Sequence, residues 1–139
     1  MSAASVDSLI RVVNERLGPP IGIIGAGPGG LSVAAALRAR GIPFEILDAG
    51  SRVGGIWDID RPDSPMYESA HFISSRTLSG FPGFPMPDSY PDYPRHDQVL
   101  RYIRDFAGHH DLERYITFDT RVDSATRTEG GGWAVNLDS

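Results

Sequence analysis

An α/β fold with a parallel sheet is predicted by three features of this 139-residue sequence. The apolar run Ile21-Gly22-Ile23-Ile24 reads as a short buried strand of a parallel sheet. It enters a glycine-rich turn, Gly25-Ala26-Gly27-Pro28-Gly29-Gly30, from which a helix runs over residues 31–40. Phe44-Glu45-Ile46-Leu47 then gives a second strand, closed by the acid Asp48. A strand, a glycine turn, a crossover helix and a strand ending on an acid make the Rossmann-type unit, whose crossover is right-handed.

Composition sets the bounds. The length suits one domain, large enough to bury a core. Acids outnumber bases 18 to 13, for a net charge of −5, so nothing here would neutralise a phosphate backbone and no nucleic-acid partner is expected. All the basic residues are Arg, and Cys is absent, which excludes disulfides, Cys-ligated zinc and thiol catalysis. Apolar runs are far shorter than the ~20 residues that span a bilayer, so no membrane partner is expected either. The start, Met-Ser-Ala-Ala-Ser-Val-Asp, lacks a basic and an apolar signal region, which predicts a cytoplasmic protein. Glycine and proline cluster without a period, so repeat and collagen-like architectures are ruled out.

The remaining elements follow in order. Val6, Leu9, Ile10, Val13 and Leu17 have helical spacing, and Gly18-Pro19-Pro20 would stop that helix. Residues 1–19 are therefore expected to be a helical extension, and 20–139 the domain. In the crossover helix Leu31, Ala34, Ala35 and Leu37 form the apolar face, and Gly41 ends it. Residues 50–93 show little regular structure, yet Trp57, Tyr67, Phe72, Phe81, Phe84 and Tyr90 give them groups to bury, which predicts an ordered, ligand-facing segment. A helix is expected over 97–107, stopped by Gly108. Ile116, Phe118, Thr120 and Val122 alternate as one strand, and Trp133, Val135 and Leu137 as another, joined by a turn at Gly130-Gly131-Gly132.

The glycine turn carries the chemistry. Gly25 permits the tight turn from strand to helix, Gly27 lets backbone approach a pyrophosphate, and Gly30 lets helix and strand pack closely. Pro28 and Gly29 sit inside the same turn, where helix N–H groups without an intrahelical partner suit a diphosphate. Asp48 lies 23 residues after Gly25, in register for a carboxylate on ribose hydroxyls. It would repel a 2′-phosphate, so the site is expected to take FAD or NAD and not NADP. His109-His110-Asp111 has no third ligand suitably spaced, and no metal site is expected. Asp58, Asp60 and Asp63 read as an acidic loop facing water.

Beyond Asp48, the run Asp48-Ala49-Gly50-Ser51-Arg52-Val53-Gly54-Gly55-Ile56-Trp57 resembles the flavin-containing monooxygenases and their Baeyer–Villiger relatives. The resemblance continues through Tyr67, Phe81-Pro82-Gly83-Phe84-Pro85-Met86-Pro87 and Tyr90-Pro91-Asp92-Tyr93-Pro94, and covers residues 20–139. It implies a three-layer, Rossmann-type FAD-binding domain whose parallel sheet is followed by the start of a β-meander, incomplete at the C-terminus. It implies that Gly25, Gly27, Pro28, Gly29 and Gly30 hold the FAD pyrophosphate. Asp48 and Ala49 would lie at the adenosine ribose, Gly54 and Gly55 against the cofactor, Arg52 and Trp57 beside it, and Val122 backbone at the adenine.

Two departures stand out. The family Asn near the flavin aligns with Ile73, followed by Ser74 and Ser75. The second glycine fingerprint, which binds NADPH in the full-length family, does not occur after Gly30. The implied activity is insertion of one oxygen atom from O2 into a small organic substrate, with FAD and NAD(P)H. Either this sequence is then one part of such an enzyme, or a second polypeptide supplies the NADPH domain, and no residue here is identified as catalytic. The alternatives are a non-catalytic FAD- or NAD-binding module, or a truncated remnant of another flavin oxidoreductase with two dinucleotide domains. A flavin disulfide oxidoreductase fits poorly, since a redox Cys pair is absent.

Overall fold

A computed structural model describes residues 19–138; the helix expected over residues 5–17 lies outside them. Strand β1 (Ile21–Ile24) leads through the glycine turn into helix α1 (Pro28–Ala39) and strand β2 (Phe44–Leu47). A long segment with one 3-10 turn at Gly55–Trp57 precedes helix α2 (His96–His109), and strand β3 (Ile116–Thr117) follows a second 3-10 turn at Glu113–Tyr115. Strands β4 (Val122–Arg127) and β5 (Trp133–Leu137) form a separate antiparallel hairpin.

The first sheet has the order β1-β2-β3 and is parallel throughout, with Ile23 opposite Ile46 and Ile46 opposite Ile116. Its core lies on one face. Ile23, Phe44 and Ile46 point there, against Leu31 and Ala34 of α1 and Val99, Ile103 and Phe106 of α2. Two right-handed crossovers that step in the same direction across a sheet put both helices on the same side. The opposite face carries Ile24, 63% exposed, and Glu45, so β1 is buried on one face where the sequence predicts burial on both. The described residues thus supply the parallel sheet and one of the layers that flank it.

Both helices end in a Schellman arrangement, which satisfies the last carbonyls. In α1, Gly41 takes φ 64° and donates to the Arg38 carbonyl, while Ile42 donates to Leu37, as the sequence predicts. In α2 the helix runs past Gly108. The left-handed residue is Asp111, with φ 44°; its N–H reaches the Gly108 carbonyl and that of Leu112 reaches Ala107. Burial of Leu112 and the Arg38 guanidinium, 2.7 Å from the His110 carbonyl, fix this later stop.

The strand expected over 116–122 is broken in two. Asp119 has φ 51° and donates to the Gly50 carbonyl, and Thr120 donates to that of Asp48. The backbone is thereby diverted across the end of β2, and only from Val122 does it resume as a strand, in the hairpin. That hairpin turns at Thr128–Gly132 with Gly131 at φ 84°, where the glycine run predicts it.

Residues 50–93 are ordered on α2 with almost no regular structure. Phe81 stacks on Phe106 at 3.8 Å between ring centroids, and Phe84 packs on Tyr102. The Tyr102 hydroxyl accepts the Phe81 N–H at 2.6 Å and donates to the Phe84 carbonyl. A second anchor is ionic. Asp58 is completely buried and accepts from Arg52 Nε at 2.5 Å and from Arg104 Nη2 at 3.2 Å. It does not face water, because two guanidinium groups, one of them on α2, draw it inward.

Candidate functional site

A cavity of about 450 Å³ opens where β1 and β2 end and α1 begins. The glycines shape it by what a side chain would strike. Gly25 has φ 98°, and its N–H bonds to the Leu47 carbonyl at 2.8 Å. A β-carbon on Gly30 would stand 1.9 Å from the Gly25 carbonyl oxygen, so helix and turn touch backbone to backbone. Gly27 and Gly55 do the same across the cavity wall, where a β-carbon on Gly55 would lie 2.9 Å from the Gly27 Cα. A β-carbon on Gly29 meets nothing within 4 Å, which leaves space in front of the helix end.

Leu31 is the first N–H after the turn to bond back, to the Gly27 carbonyl. The Gly29 and Gly30 N–H groups just before it have no carbonyl behind them and carry the positive end of the helix dipole. Asp48, 4% exposed, closes the far wall. Its Oδ2 accepts the Ala26 N–H at 2.5 Å, so the acid that ends β2 also holds the turn that ends β1.

The cavity is lined by Gly25, Gly27, Pro28, Gly29, Gly30, Asp48, Ala49, Gly55 and Val122 of the residues predicted from sequence. Arg52, Gly54 and Trp57 lie outside the lining. Arg52 is engaged with Asp58 and Asp60, and Trp57 packs edge-on against Phe72 at 4.9 Å. A β-carbon on Gly54, at φ 148°, would strike Leu100 at 2.5 Å; that glycine lets the loop sit on α2. All three anchor the loop that carries Gly55: Arg52 through Asp58, Gly54 through its N–H to the Ala26 carbonyl, and Trp57 through Phe72.

Four lining residues bear formal charge, and sequence reasoning missed three of them: Arg61, Asp63 and Arg121. Arg61 Nη1 lies 3.3 Å from Asp48 Oδ1 and its Nε 3.4 Å from Asp63, while Arg121 reaches the other Asp63 oxygen at 3.4 Å. The hydrogen bond from Arg61 holds the Asp63 carboxyl below the usual carboxylate range. Asp63 faces water, as the sequence suggests, and is also part of a charged wall. The interleaving of arginines with Asp58, Asp60 and Asp63 was the available signal. With the formal charges balanced, the helix end leaves the cavity suited to an anion.

Ile73, at the position of the family Asn, is 94% exposed and outside this lining. Among the described residues no group of His, Asp and Glu is arranged for a metal ion, and no helix is long and apolar enough to cross a membrane.

A family model described as flavin-binding monooxygenase-like matches residues 19–137. The chain belongs to the flavin-binding monooxygenase-like family. Among relatives of this flavin-binding monooxygenase-like chain, flavin-containing monooxygenase FMO GS-OX-like 2 of Arabidopsis thaliana is 33% identical, over 83% of the chain and 30% of that protein. The fold agrees with the structure of S-allyl-L-cysteine S-oxygenase from Allium sativum, at a TM-score of 0.76 and 28% identity, over 84% of the chain and 31% of that one. It agrees also with OTEMO in complex with FAD and NADP, at a TM-score of 0.75 and 27% identity, over 86% and 22%. The chain spans less than a third of the length of each of these proteins.

Proposed function

We propose that this chain is the FAD-binding part of an NAD(P)H-dependent flavin monooxygenase that places one oxygen atom from O2 on a small organic substrate. The observation that carries the reading is the cleft: glycine backbone at the start of α1 facing a buried acid at the end of β2, in a member of a flavin-binding family. The residues fit such a group. The mouth at Gly29 is open, the walls at Gly27 and Gly55 are bare backbone, and the unpaired N–H groups suit a diphosphate.

FAD, when bound, supplies the redox chemistry with oxygen and the nicotinamide. The chain's own residues bind and orient. Gly27, Pro28, Gly29 and Gly30 cradle the diphosphate, and Asp48 with Ala49 borders the ribose. Val122 offers backbone to the adenine, while Arg52, Gly54 and Trp57 anchor the loop that carries Gly55. We assign residues 20–139 to this domain and 1–19 to an extension. A nicotinamide site is assigned to polypeptide beyond these 139 residues, either continuous with the chain or a second partner, because no second G-x-G-x-x-G follows Gly30.

The test is a titration of the purified chain with FAD, followed by its visible spectrum and thermal unfolding, with NAD and NADP as controls. A bound flavin spectrum or a rise in Tm with FAD is expected. A chain that is folded by circular dichroism and shows neither would overturn the reading.

A further inference from the structure

Asp48 in isolation predicts exclusion of a ribose 2′-phosphate, and the structure does not leave Asp48 in isolation. An ionised carboxylate offers about four acceptor positions. Three are taken: by the Ala26 N–H at 2.5 Å, the Gly50 N–H at 2.7 Å and Arg61 Nη1 at 3.3 Å. A ribose diol presents two hydroxyls, and Asp48 has too few free positions to accept from both. Arg61 is in the opposite condition. Its guanidinium has more N–H groups than the two bonds to Asp48 and Asp63 use, and only 17% of its side chain is exposed, within the cavity wall.

The wall is also shaped for that arginine. A β-carbon on Gly50 would lie 2.9 Å from Arg61 Nη1 and 3.0 Å from Asp48 Oδ1, so a side chain at position 50 would collide with the pair. Beyond it Asp63 and Arg121 extend the alternation of charge along the lining. A phosphate, which only accepts hydrogen bonds, finds donors here; an arginine close to the ribose acid is the general means by which a 2′-phosphate is accommodated.

Resting on the reading of this cleft as a dinucleotide site, we propose that Arg61 is a specificity-determining residue that cancels the exclusion imposed by Asp48, so that the cleft takes adenine nucleotides with or without a ribose 2′-phosphate. Competition against bound FAD by 5′-AMP and by adenosine 2′,5′-bisphosphate, which differ only in the 2′-phosphate, measures this on the chain itself. The two are expected to compete within about tenfold of each other, and Arg61→Met to widen the ratio by at least about tenfold against the bisphosphate, because like charges are then left facing one another. Arg61→Lys, which keeps the charge, should restore most of the ratio.

Strong preference of the unaltered chain for 5′-AMP overturns the proposal without any variant. So does an Arg61→Met chain that weakens both ligands equally, the signature of a merely structural role. If the unaltered chain binds FAD but the ratio behaves in either of these ways, only this proposal fails; if it binds no FAD, the reading of the cleft fails first.

Discussion

Gly30→Ala is expected to destabilise the chain by roughly 3 kcal/mol, at the upper end of overpacking costs. Where it still folds, FAD affinity should fall about 10- to 100-fold, the loss expected when one hydrogen bond to a charged group is broken. The new β-carbon would stand 1.9 Å from the Gly25 carbonyl oxygen and 3.2 Å from Ile23 Cγ2. Neither neighbour is the end of a flexible side chain, since one is the turn itself and the other is buried in the core. Relief requires α1 to move away from β1, and that movement carries the diphosphate-facing N–H groups with it. Gly29→Ala is the control for stability, because a β-carbon there meets nothing within 4 Å. Urea unfolding of the two variants separates them; equal losses would contradict the close contact.

Asp58→Ala should cost about 2–3 kcal/mol, somewhat below the range for breaking a fully buried pair. The carboxylate is buried, and Arg52, Arg104 and the Asp60 N–H all donate to it. Its loss leaves a cavity and two guanidinium groups with no anion between them. Both guanidinium side chains are more than a third exposed, so water recovers part of their solvation, which is why the lower figure applies. Since Asp58 ties the loop after Gly55 to α2, the variant should also loosen the cleft wall, visible as weaker flavin binding. A loss below about 0.5 kcal/mol, the level of an ordinary surface change, would show that the network contributes little.

What was legible in the sequence is what depends on neighbours along the chain. The unit from Ile21 to Asp48 is specified by consecutive residues: apolar run, glycines, helical face, apolar run, acid. Gly41 could be read as a stop because glycine takes the left-handed conformation at no steric cost. Gly108 misled for the same reason, since the stop that forms uses Asp111 and is fixed by Arg38 from the other helix. The alternation through residues 116–122 was real as a pattern, but bonds to Gly50 and Asp48 bend the backbone midway. Asp58 and Arg61 acquire their roles from partners distant in sequence, Arg104 for one and Asp48 for the other. A run of acids and arginines carries no mark of which pairs will close.

The sheet face that the described residues leave uncovered has a thermodynamic consequence. Apolar groups such as Ile24 that already meet water in the folded chain add nothing to the surface newly hydrated on unfolding. Heat-capacity change and denaturant sensitivity both scale with that newly hydrated surface. The described residues, with that sheet face bare among them, therefore contribute a shallower dependence on urea and a flatter stability curve than their number alone implies. Any polypeptide that covers the face would restore the steepness together with the stability.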